Sequence, residues 1–112
     1  MLHFLWDKIK ELAGASPSMM EGKRSSKWPT VRKQHLEKFD SCAACGRKEN
    51  LEVHHVIPFS IDPHRELDAD NLITLCEPTC HFLIGHLNSW TSYNRHVRDD
   101  AAFLRGRILG RP

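Results

Sequence analysis

Four cysteines fall in two close pairs, Cys42/Cys45 and Cys76/Cys80, and His54, His55, His81 and His86 are among the histidines that lie between or just beyond them. Thiol pairs at such spacings can close disulfides, form a redox couple or bind a metal together. No secretory signal is legible, because Asp7, Lys8 and Lys10 interrupt MLHFLWDKIKELAG before an apolar stretch develops. We therefore expect a cytoplasmic protein, and disulfides are the weaker explanation there. Nothing around Cys42 reads as the βαβ pattern of a thioredoxin-like redox pair. Two thiol pairs brought together make a tetrahedral four-sulfur site, which zinc prefers, and the C-x2-C and C-x3-C spacings both lie within its usual range. The expectation is a structural Zn2+ on Cys42, Cys45, Cys76 and Cys80. Such a site contributes on the order of 10 kcal/mol at neutral pH, which compensates for the small core of so short a chain.

The 30 residues between Cys45 and Cys76 exceed the roughly 15–20 of common zinc modules, so the interval houses something further. It contains His54-His55. A lone histidine is usually structural or exposed, but neighbouring strand residues face opposite sides. One of the pair can ligate a metal while the other points at a substrate. His81 directly follows Cys80, so the four-sulfur site fixes its position.

The elements that must hold these residues are short. Leu2, Leu5, Trp6, Ile9, Leu12 and Ala13 are spaced as one face of an amphipathic helix ended by Gly14, which packs on the domain or on a second copy of the chain. Ala15–Ser26 reads as a linker. A second helix begins near Trp28-Pro29 with Ser26 as its cap; Val31, Leu36 and Phe39 face inward and Arg32, Lys33 and Lys38 outward. Leu51–Val53 running into His54-His55, and Asn71–Leu75 ending at Cys76, read as two strands separated by a polar loop, Pro58–Asp70. Thr79 caps a helix through about Leu87. Asp100–Leu109, with Ala101, Phe103, Leu104 and Ile108, reads as a terminal helix. This is an α+β chain in three parts: a helix and linker over 1–26, the metal-bearing domain with its basic leader helix over 27–94, and a basic tail over 95–112.

At 112 residues and 12.9 kDa, with 40% hydrophobic and 27% charged residues, the chain is one soluble domain with arms. No apolar run approaches the roughly 18 residues of a membrane span. The net charge of +2 is unevenly placed. Residues 1–40 carry +3 (eight Lys/Arg, five Asp/Glu), residues 41–94 carry −4, and residues 95–112 carry +3. Such ends are either solvated surface or arms for a polyanion. In the second case Lys27, Arg32, Lys33, Arg95 and Arg98 would contact phosphates. Trp28, Trp90 and Tyr93 offer rings for base stacking, although core burial is the better expectation for Trp90.

Taken in order, C-x2-C, LEVHHVIPF, DADNLITLC and C-x3-C-His resemble the HNH endonucleases of the ββα-metal fold, in the version with a four-cysteine zinc knuckle. The resemblance runs from Cys42 to about His86. It implies a small ββα-metal core flanked by N- and C-terminal helices. It places His54 at a metal-ligand position, His55 at the general base, Asn71 at the residue that orients the base and braces the loop (or in some members binds metal), and His81 at the last ligand. His86 follows His81 by five residues, about 140° around an ideal helix. A bulge near Gly85 would make a three-histidine site of His54, His81 and His86; otherwise water, Asn71 or substrate oxygens complete a two-histidine site. The implied activity is metal-dependent hydrolysis of DNA phosphodiesters with one divalent ion, Mg2+, Mn2+, Ni2+ or Zn2+, leaving 5′-phosphate and 3′-hydroxyl ends. No groove-reading helix is evident, so specificity is low unless a homodimer or another partner supplies it. The alternative is a zinc-knuckle nucleic-acid-binding or adaptor protein without catalysis. His55 discriminates the two, because a binding module needs no free histidine beside a ligating one.

Overall fold

Alternation in Leu51-Glu-Val and the β-branched run Ile73-Thr74 produce two short strands, β1 (Leu51–His55) and β2 (Leu72–Cys76), in the computed structural model, which describes residues 24–111. They pair antiparallel from Leu51 opposite Cys76 to His55 opposite Leu72. All five β2 residues are buried, so this strand is covered on both sides, and its run of apolar side chains follows from that. Helix α1 (Trp28–Lys38) packs against both strands, and α2 (Val97–Leu109) packs against a turn of π-helix at His81–Gly85 that itself touches both strands. The result is α+β, with the two strands and the following helical turn of the expected core. The helix read at 2–13 and nearly all of its linker lie outside the described residues. No helix among those described is long and apolar enough to cross a membrane.

The core is built around the thiols. Cys42, Cys76 and Cys80 are buried with Ala44, Ile73, Leu75, Val97 and Ala101 in one cluster. The turn after Cys45 passes through Gly46 at φ +82°, which glycine adopts without steric cost. A Cβ there would also lie 2.6 Å from a guanidinium nitrogen of Arg105, which brings α2 against the cysteine turn.

Several local expectations are corrected. The residue capping α1 is Lys27, with no side-chain cap, rather than Ser26; Pro29 does stand in the first turn. On α1 the buried side chain is His35, while Phe39 is exposed just past the helix end. The terminal helix starts at Val97 rather than Asp100 because Asn94 organises its entry: its Oδ1 accepts from the His96 amide, and its Nδ2 donates to Asp100 and to the Ile84 carbonyl. Val97 and Ala101 form the buried side of α2, and Phe103 is exposed. The helix expected from Thr79 to Leu87 does begin at Thr79-Cys80, but it continues only as the short π turn to Gly85, with no side-chain cap.

Candidate active site

The cysteine pairs converge as their spacing predicts. The four sulfurs lie within 4.8 Å of one another, and Cys45 Sγ and Cys76 Sγ are 3.6 Å apart. Sulfurs about 2.3 Å from a tetrahedral ion would be separated by about 3.8 Å, so the donors fit a structural metal ion. Burial raises the Cys42 thiol, but amide N–H groups, first those of Cys45 and Ala44, outweigh it and hold the thiol down at about 7. Burial pushes Cys76 and Cys80 up, and the neighbouring sulfurs add to the effect at Cys80.

A second cluster forms where β1 meets the π turn. One ligand nitrogen from each of His54, His81 and His86 lies within the same 4.8 Å limit, and all three residues are buried. The ring centroids are 4.9–5.0 Å apart. The five-residue spacing that an ideal α-helix would splay is met by the π turn. Its widened bond, His86 N–H to the His81 carbonyl at 3.1 Å, stacks residues five apart. Gly85 is part of the same solution, since a Cβ on it would come 3.1 Å from the His54 ring.

Hydrogen bonds set the tautomers. His86 Nδ1 lies 2.7 Å from the Ser92 carbonyl, which can only accept, so Nδ1 carries the proton and Nε2 keeps its lone pair. His81 Nδ1 bonds the Glu77 carboxylate in the same sense. Both π-turn histidines therefore offer Nε2 to an ion, held from behind by oxygen acceptors. Trp90, 9% exposed, closes one side of the cluster against His81 and His86, in line with its expected burial.

His55 leaves the strand toward different neighbours. Its ring packs on Trp28 at 4.5 Å between centroids, and its Nε2 donates to the Glu66 carbonyl at 2.9 Å. Nδ1 is thereby the unprotonated nitrogen. Burial lowers its pKa first and the Arg24 cation lowers it further, against the raising effects of the Glu66 carbonyl and carboxylate. The imidazole is thus biased to the neutral form. Asn71, 1% exposed, ties the intervening loop: Nδ2 donates to the Ile57 and Arg65 carbonyls, and Oδ1 accepts from the Ile57 amide. The loop so held presents the Glu66 carbonyl to His55.

His54, His55, His81 and His86 line one cleft of about 170 Å³ together with Arg24, Trp28 and Glu52. A larger groove of about 940 Å³ between α1, β2 and α2 shares none of its lining residues and holds no member of either cluster. Of the five cations read as phosphate contacts, Lys27, Lys33 and Arg95 are exposed. Arg32 donates through Nε to Glu52 at 3.0 Å, and Arg98 donates to the Asp70 and Leu72 carbonyls, joining α2 to β2. Sequence reasoning overlooked Glu77, placed in a turn although it stands four residues before His81. It also overlooked Arg24, which lines the cleft, and Glu66, which holds the Arg24–Ser25 segment through contacts 41 or more residues apart in sequence.

Residues 42–86 match the family model described as HNH endonuclease. No curated protein and no solved structure matches the chain. The matched stretch contains every member of the cysteine and histidine clusters, with His55 and Asn71 between them, so it is over residues 42–86 that the chain is similar to the HNH endonuclease family.

Proposed function

We propose that the protein is a metal-dependent DNA endonuclease in which His55 is the general base. The observation that carries this reading is a carbonyl-tethered imidazole, His55, opening onto the same cleft as three converging histidines. His54, His81 and His86 would hold a divalent ion, which when bound supplies Lewis-acid stabilisation of charge on the phosphate and the departing oxygen. Three imidazoles suit Zn2+, Ni2+ or Mn2+ better than Mg2+, which prefers oxygen donors. The cysteine cluster would hold the structural ion, and an all-thiolate donor set favours zinc.

His55 Nδ1 takes a proton from the attacking water, and the Glu66 carbonyl, already bonded to Nε2–H, steadies the cation that results. A histidine suits this step because its pKa lies near neutrality. Asn71 acts one step back, through the loop that carries Glu66.

Supercoiled plasmid tests the function. Protein dialysed against a weak chelator is expected to leave the plasmid intact and to nick it when Mn2+, Ni2+, Zn2+ or Mg2+ is restored. Intact plasmid with every ion would overturn the proposal. Glu77 provides a second check. Carboxylates behind a ligating histidine typically contribute 10–100-fold in metal affinity. Calorimetry of Mn2+ or Ni2+ binding to Glu77→Ala should therefore show a Kd raised by about that factor, with the knuckle ion retained. An unchanged Kd would remove Glu77 from the site.

A further inference from the structure

The chain segment just before α1 brings a cation into the cleft. Arg24 is the only Lys or Arg lining it among the described residues. Its guanidinium carbon lies 4.8 Å from the centroid of the Phe59 ring. Its Nη1 is 3.6 Å from Glu66 Oε2, beyond a direct hydrogen bond. Glu66 is 4% exposed, and its other oxygen accepts from the Ser25 amide at 3.0 Å. The buried carboxylate thus anchors the backbone at Ser25 and aligns the guanidinium next door. The Arg24 side chain remains 47% exposed, and a guanidinium has five N–H donors, so most of its donor capacity is left for a ligand in the cleft.

We infer that Arg24 is a catalytic residue that grips the scissile phosphate, and that Glu66 is the positioning residue that aims it. The inference rests on the nuclease reading above. The geometry favours this cation over those read from the sequence, because Arg32 is engaged by Glu52 and Arg98 by backbone carbonyls. A phosphodiester entering the cleft brings one negative charge and gains another as water adds. Glu52 is acidic and no other Lys or Arg among the described residues lines this cleft, so the protein's own compensation on this wall comes from Arg24. The planar guanidinium can bond two phosphate oxygens at once, which a lysine ammonium cannot do in the same geometry.

The rival role is purely structural: Arg24 could serve only as the counter-ion of buried Glu66. The test uses Arg24→Lys, Arg24→Ala, and Arg24→Ala combined with Glu66→Gln, the last of which needs no counter-ion and keeps the Ser25 acceptor. Thermal melts and single-turnover nicking with Mn2+ or Ni2+ are measured on each. Arg24→Lys should melt like wild type yet cleave at least tenfold more slowly. The double variant should recover the melting temperature lost in Arg24→Ala and remain at least a hundredfold slow. A double variant that recovers both stability and cleavage, or an Arg24→Lys protein within threefold of wild type, overturns the inference while leaving the nuclease reading in place. Failure of the wild type to cleave with any ion overturns both.

Discussion

His55→Ala is expected to lose about 10²–10⁴-fold in nicking rate, the usual range for removing a general base, while keeping its fold, its knuckle ion and its DNA affinity. Loss of the ring removes the Nε2 bond to the Glu66 carbonyl and the packing on Trp28, but neither metal cluster includes His55. The defect should therefore appear in single-turnover rate at saturating protein and not in the metal content read by mass spectrometry. His55→Gln separates positioning from proton transfer. Its amide can still donate to the carbonyl, but it cannot accept a proton at neutral pH. Cleavage by either variant within a few fold of wild type would assign the base elsewhere.

Much of this arrangement was legible in the sequence because covalent neighbours carried it. Thiol pairs on tight turns, adjacent histidines on a strand and a histidine next to Cys80 all constrain position over one to four residues, so chemistry and spacing suffice. Asn71 was legible only through the resemblance; its three bonds to the loop at Ile57 and Arg65 are tertiary. A bulge near Gly85 is what the sequence requires for His86 to join His81, and the chain does form a π turn there. The five-residue step from His81 to His86 was visible, but whether the backbone would widen to meet it depended on Gly85 passing beneath the His54 ring. Exposure on α1 and α2 was harder still. Both helices are short and polar, and α2 buries only Val97 and Ala101, which is too little to fix a face by periodicity. Arg24 gave no signal, because its neighbours, Glu66 and Phe59, come from across the fold.

Cys76→Ser is expected to unfold the domain rather than merely slow it. The cluster that would be called a hydrophobic core in a larger protein consists here of three buried cysteines and five small or branched apolar residues. Structural zinc contributes on the order of 10 kcal/mol at neutral pH, comparable to the whole stability of a typical domain, so a core of this size should not stand without its ion. Cys76 ends β2 opposite Leu51, while Cys42 and Cys45 lie on the turn that α2 covers through Arg105; the ion would fasten these pieces together. The same loss reaches the histidines. Cys76 precedes Glu77, the acceptor behind His81, and Cys80 precedes His81 itself, so releasing the sulfurs frees both ends of that pair. The expected result is one tightly held zinc per chain in wild type and none in Cys76→Ser, with cooperative loss of far-ultraviolet dichroism in the variant and in wild type treated with a strong chelator. His55→Ala should differ from both by remaining folded and keeping its zinc. A metal-free protein with an unchanged melting curve would mean that apolar packing alone holds the fold and that the four thiols are not its structural centre.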